Sequence, residues 1–274
     1  MKTGIGTRSV FYLIAYLFVL VMAYPIVLMV LSSFKSTAEI FTSPLSLPEV
    51  FSLEPYRKLW ELVPFQDYIW NSVFVSVVAV ALILLFSSLA AFYLARFSFA
   101  WSGFLYFFFL IGLMIPLKLG IVPLFILMKN IGLTNSLWSL ILIYTASGIP
   151  ISVFILTGFF RTLPIELEEA ARMDGCNHFQ VFWRILLPLI RPALGTVMII
   201  NFISAWNDFF FPLIFIQDEA AKTIPIGMLG LFGEYEADWS MIFAGLTLSS
   251  LPMIAVFLVA SKQFMEGLTA GAVK

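Results

Sequence analysis

Six apolar stretches, each long enough to cross a bilayer, alternate along this chain with polar pieces of very unequal length. With about 20 apolar residues per crossing as the measure, they predict helical spans at 10–33, 68–95, 103–128, 137–160, 192–216 and 240–261. The first has the position of a secretory leader but about twice the length of a leader's apolar core. It also carries Tyr24-Pro25 instead of a small-residue cleavage site, and reads as a retained span. Between spans, 35–67 holds Pro44, Pro48, Pro55 and Pro64 and reads as irregular, with one short helix near 55–62. The 217–239 connection is acidic, and Gly227, Gly230 and Gly233 favour turns there.

The polar island at 161–191 differs from the other connections. Leu163-Pro164-Ile165-Glu166 reads as a helix start, because proline suits the first helical position. Glu166, Glu168 and Glu169 suit the positive end of the helix dipole. Gly175 is placed to stop that helix in a left-handed conformation. The result is a helix of about 11 residues, too short to span and marginal alone in water. A second helix is expected from Asn177, with Gln180 completing a capping box. It runs through Val181, Phe182, Ile185 and Leu186 until Pro188 ends it. Both helices are expected to lie along the inner membrane surface, hinged at Gly175. Ala170 and Ala171 would offer small surfaces for close approach by a partner, and Glu169 a charge for a basic group. An interfacial loop with no partner is the plainer reading, but a hinge glycine, small alanines and a glutamate serve it poorly.

Composition sharpens the class. Only 11% of the 274 residues are charged and 61% are hydrophobic, where a soluble domain carries about a quarter charged. The expectation is an all-α membrane protein, one transmembrane domain over 1–274, multi-pass in the cytoplasmic membrane. Basic residues set its orientation. Lys2, Arg8, Arg96, Arg161, Arg172, Arg184, Arg191, Lys262 and Lys274 fall on one side, and Lys35, Arg57, Lys58, Lys129 and Lys222 on the other. Nine against five predicts both termini inside. A net charge of −1 gives no reason to expect nucleic acid. A single cysteine, Cys176, and a single histidine, His178, exclude a disulfide framework and a Cys- or His-based metal site. No G-x-x-x-x-G-K-[ST] run occurs, so a P-loop of its own is absent and energy must come from outside the chain.

Polar groups inside spans are expensive in lipid and face a cavity or another helix. Asn201, Trp206, Asn207 and Asp208 lie along the fifth span and suit a carbohydrate, rings stacking on sugar faces while amides and acid bond hydroxyls. Helix–helix bonding explains the same residues equally well. Lys118, after Pro116, either pairs with an acid such as Asp208 or snorkels to the surface. Tyr144 and Thr145, before Gly148 and Pro150, either line a path or serve packing and a kink. Ser87, Ser88, Ala90 and Ala91 form a small-residue face.

Glu169-Ala170-Ala171, Gly175, Ile185 and Leu187-Pro188 resemble the EAA motif of permease subunits of ATP-binding-cassette importers, at that family's spacing. Ala205-Trp206-Asn207-Asp208-Phe209 and the tail Gly267-Leu268-Thr269-Ala270-Gly271-Ala272-Val273-Lys274 resemble the second permease subunit of maltose and multiple-sugar importers. The resemblance covers essentially the whole chain. It implies the type I importer permease fold, with 161–191 as a coupling loop that docks on a nucleotide-binding subunit through Glu169, Ala170, Ala171, Asp174 and Gly175. It also implies a cytoplasmic tail, 262–274, that reaches the ATPase interface through Gly267, Leu268, Thr269, Ala270 and Gly271. The implied partners are a second permease in a heterodimer, two ATPase subunits that use the ATP and magnesium, and an extracellular or periplasmic sugar-binding protein. The chain itself would hold no cofactor and no catalytic residue. Alternatives are a glycerol-3-phosphate or other polar-solute permease of the same kind, and an ion-coupled secondary transporter. Phosphate would call for more cations than Lys118. An ion-coupled carrier would need carboxylates or basic relays in several spans, and Asp208 is the one clear candidate.

Overall fold

A computed structural model describes residues 5–232 and 237–272, with side chains described for 10–232 and 237–261. Every regular element among these residues is helical. In chain order they are α1 (Ile5–Ser32), α2 (Thr37–Thr42), α3 (Glu54–Leu62), α4 (Phe65–Arg96), α5 (Ser102–Met114), α6 (Ile121–Asn130) and α7 (Leu137–Thr162). There follow α8 (Glu166–Met173), α9 (His178–Val181), α10 (Leu187–Leu189), α11 (Arg191–Asn207), α12 (Phe210–Phe215), α13 (Ile224–Leu229) and α14 (Trp239–Ala272). The chain divides into two compact units, Met1–Gln66 with Gly227–Leu251, and Asp67–Ile226 with Pro252–Lys274.

Four helices are long and apolar enough to cross a membrane: Val10–Ser32, Phe65–Arg96, Leu137–Thr162 and Trp239–Ser261. The other two expected spans are broken. Ser102–Met114 meets Leu117–Asn130 at 82° inside the third, and just ahead of the fifth His178–Leu189 meets Arg191–Trp206 at 76°. The expected 192–216 span is itself interrupted at Asp208-Phe209 before α12 resumes. Pro116, with no N–H to give, sits at the first break, and the Asp208 carboxylate caps the helix that restarts at the last. The 35–67 segment holds the expected helix as α3 and an additional one, α2, capped by the Ser36 side chain. Gly227 lies inside α13, not in a turn, and Gly233 lies outside the described residues.

In the unit of 67–226 and 252–274, α4 is a 32-residue helix with no internal proline, Asp67 in its first turn and Arg96 in its last. Those charges suit the two ends of its dipole. Ser87, Ser88 and Ala91 are buried to 3% exposure or less, so the small-residue face does pack. One apolar cluster joins Phe92, Phe160, Val181, Phe182, Leu186, Ala193 and Val197. A second joins Leu140, Ile141, Tyr144, Ala205, Phe211 and Phe215. In the other unit Asp238 accepts from Thr37 Oγ1 at 2.9 Å and the Ser240 backbone at 3.1 Å. Lys35, 1% exposed, gives its ammonium to the Ser43 carbonyl at 2.8 Å.

The second helix of the polar island buries one face, with Val181, Phe182, Leu186 and Ile190 at most 1% exposed, and turns Phe179 and Trp183 outward. Pro188 does not end it. A π turn spans Phe182–Leu186, and Leu187 donates five residues back to the Phe182 carbonyl. The hydrogen-bond register is therefore already wide where the proline ring arrives, which a regular turn would not tolerate. The helix runs on to Leu189.

Candidate functional site

Helix α8 has eight residues, shorter than expected, and its end is built as the glycine position foretells. Gly175 has φ +83°. Its N–H bonds the Arg172 carbonyl at 3.0 Å, and that of Cys176 bonds the Ala171 carbonyl at 3.0 Å, the Schellman arrangement. Immediately beyond, Asn177 Oδ1 accepts from Gln180 N and Gln180 Oε1 from Asn177 N, both at 2.9 Å, completing the capping box. Both ends of this hinge are thus satisfied without a partner.

What α8 offers outward is Glu169, Ala170, Asp174 and Gly175, all exposed, with Met173 at 88%. Ala171 is a correction to the sequence reading: it is 4% exposed, packed into the cluster of Phe92 and Phe182. Only Ala170 of the pair presents a surface. Neighbours in a helix point about 100° apart, so a one-sided helix cannot offer both.

From behind, α8 is held by a pair the sequence did not reveal. Arg96 Nε lies 2.5 Å from Glu168 Oε1, with both side chains at 8% exposure or less. Arg96 Nη2 also donates to the Leu163 carbonyl at the end of α7, at 2.8 Å. Arg96 reads in sequence as one more cytoplasmic charge, and Glu168 as one of three acids in a helix start. His178 stands edge-on to Phe97 at 5.1 Å and meets Arg172 at 3.0 Å.

A second place of interest is a cavity of about 370 Å³ between the broken helices. Lys118, Tyr144, Ser147, Ser204 and Asp208 supply its polar lining, and Pro116, Leu117 and Phe211 its apolar walls. Asp208 Oδ2 accepts from the Tyr144 hydroxyl at 2.9 Å and from the Phe211 N–H at 3.0 Å. Lys118 is exposed, and its ammonium sits over the Phe210 ring, 5.2 Å from the centroid. Irregular backbone at membrane depth is tolerated where it lines such a cavity. Of the residues expected along a path, Lys118, Tyr144 and Asp208 meet here, and Ser147 and Ser204 join them unforeseen. Asn201 does not. It is buried, donating to Ser152 Oγ at 3.0 Å and the Val197 carbonyl at 2.8 Å. Trp206 is 4% exposed and stacks on Phe202 at 15°. Asn207 is exposed and bonds the Ile203 carbonyl at 2.9 Å. The side chains of Gly267, Leu268, Thr269, Ala270 and Gly271 lie outside the described residues.

These two features, an exposed helix backed by a buried ion pair and a polar cavity between broken spans, occur in a chain whose residues 83–264 match the family described as binding-protein-dependent transport system inner membrane component. The chain belongs to that family. Among its relatives is the diacetylchitobiose uptake system permease protein NgcG of Streptomyces coelicolor (strain ATCC BAA-471 / A3(2) / M145). It is 36% identical over 249 residues, covering 90% of this chain and 82% of that one. Another is the arabinooligosaccharides transport system permease protein AraQ of Bacillus subtilis (strain 168), 34% identical and covering 92% and 90% of the two chains. The fold is shared with a chain of a bacterial ABC transporter involved in the import of the acidic polysaccharide alginate. Its TM-score is 0.83 at 22% identity, over 96% of this chain and 99% of that one. The protein is therefore the inner membrane component of a binding-protein-dependent transport system, a transport part and not an enzyme.

Proposed function

We propose that the permease carries a di- or oligosaccharide, delivered by a binding protein, and is driven by ATPase subunits that grip α8. The observation that carries the coupling half is the exposed face of Glu169, Ala170, Asp174 and Gly175 on a helix whose C-terminal end is closed within its own chain. Such a face is held ready for a partner by bonds of its own chain. The sugar half rests on relatives named for diacetylchitobiose and arabinooligosaccharide transport. The cavity chemistry agrees: one carboxylate, a phenol, two serine hydroxyls and an ammonium, flanked by rings, suit a polyhydroxylated solute. Phosphate would meet a single cation, Lys118, beside a carboxylate.

On this reading both termini and α8 are cytoplasmic. A second permease completes the translocation path, two ATPase subunits use ATP and magnesium, and the tail from Gly267 to Gly271 reaches the ATPase interface. ATP-driven closure of the motor shifts the permeases between inward- and outward-facing states, and the loaded binding protein biases the outward-facing one. The test is a Glu169→Lys variant. It is expected to reach the membrane and assemble, yet lose uptake; normal uptake together with normal stimulation of ATP hydrolysis would refute the coupling role. A cysteine at Ala170 is expected to cross-link to the ATPase.

A further inference from the structure

Helix α4 is gripped at both ends by specific polar contacts. At one end Arg96 holds α8 through Glu168 and α7 through the Leu163 carbonyl. At the other end three residues hold the 219–224 segment. The Tyr68 hydroxyl donates to Glu219, and Asn71 Nδ2 donates to the carbonyls of Ala220 at 2.8 Å and Lys222 at 2.9 Å. Ser72 Oγ accepts from the Ile224 N–H at 2.8 Å. Tyr68 and Ser72 are at most 3% exposed. Between Tyr68 and Arg96 the helix runs about 42 Å at 1.5 Å per residue. It has no proline or glycine to bend it.

We propose that α4 is a strut: displacement of α8 enters it through the Arg96–Glu168 pair and leaves through Tyr68, Asn71 and Ser72 to move the 217–224 segment at the opposite end. Fixed polar contacts, an ion pair at one grip and hydrogen bonds at the other, resist the sliding that apolar packing alone would allow between neighbouring helices. A buried ion pair is an expensive way to gain stability, since apolar residues of similar volume often serve as well. A use in transmission accounts for one placed directly behind the docking helix. The strut rests on the reading of α8 as the ATPase contact.

The test uses the assembled importer in proteoliposomes, with Cys176→Ser as background and spin labels at Gln217→Cys and Leu142→Cys. Magnesium ATP with vanadate is expected to shift the distance between the labels. Arg96→Met with Glu168→Met, an apolar substitute for the pair, is expected to abolish that shift while basal ATP hydrolysis is kept. Tyr68→Phe with Asn71→Ala, which spares ring packing, is expected to do the same from the other end. It decides the matter if the methionine pair fails to accumulate. A shift that persists with either grip removed overturns the strut, as does the lack of any shift in the parent. Failure of the Ala170→Cys cross-link to the ATPase in the parent instead defeats the underlying reading of α8.

Discussion

Gly175 has φ +83° and nothing within 4 Å of the position a Cβ would take, so an alanine there meets backbone strain without a clash. The left-handed conformation costs an L-residue about 1–2 kcal/mol. Gly175→Ala is expected to lower thermal stability in detergent by that order and to weaken uptake by unwinding the Schellman turn. Gly175→Asn, which tolerates the conformation better, is expected to lie between. Asp238 gives a pH-dependent counterpart. Burial opposes its charge, but hydrogen bonds from Ser240, Thr37 and the Met241 N–H, with Lys58 at 4.0 Å, outweigh it and hold the carboxyl below the usual range. A carboxylate whose folded pKa is depressed stabilises the fold above its unfolded pKa, and that stabilisation is lost as pH falls through the folded value. Asp238→Asn is expected to lower stability at neutral pH and to flatten its decline in acid, followed by the fluorescence of neighbouring Trp239.

At the scale of elements, α7 and α11 meet where Gly148 leaves room for Asn201. A Cβ on Gly148 would collide with Asn201 Oδ1 and come within 2.5 Å of Ile83 Cδ1. The isoleucine tip can swing away, but Asn201 is fixed by its bonds to Ser152 and Val197. Gly148→Ala is therefore expected to destabilise by about 1–3 kcal/mol, read as a lower midpoint in thermal unfolding, and Asn201→Ala to relieve part of that loss. The same elements show what a sequence can and cannot convey. Helix α8, its glycine stop and the Asn177–Gln180 box are local, fixed by residues at most a few positions apart, and they were legible. The breaks at Pro116 and Asp208 were not, because a hydropathy average over some 20 positions hides one proline or one carboxylate in an apolar run. The Arg96–Glu168 pair was invisible for another reason: its partners are distant in sequence, and each alone looks like an ordinary solvated charge. Ala171 was hidden for the same reason: it stands three residues after Glu168, and only the burial of that acid marks the stripe they share as the inward one.

For the molecule as a whole the open question at the level of physics is where the work comes from, and the described spans narrow it. An ion-coupled carrier needs carboxylates at depth that load and release the ion in turn. Here Asp208 is such a carboxylate, and its Oδ2 is already committed to the Tyr144 hydroxyl and the Phe211 N–H, where it caps α12. Releasing it for an ion at each cycle would mean uncapping the restarted helix. The chain also has no P-loop, while α8 turns a finished face outward. Work delivered through a docked motor fits all three observations. Vesicles holding the assembled importer are therefore expected to keep taking up solute when proton and sodium gradients are collapsed by ionophores. They should stop when internal ATP is withdrawn. An Asp208→Asn variant keeps an acceptor for Tyr144 and Phe211, and is expected to change the affinity for solute while leaving ATP dependence intact. Uptake that follows an ion gradient in the absence of ATP, and disappears in Asp208→Asn, would instead make Asp208 the coupling group.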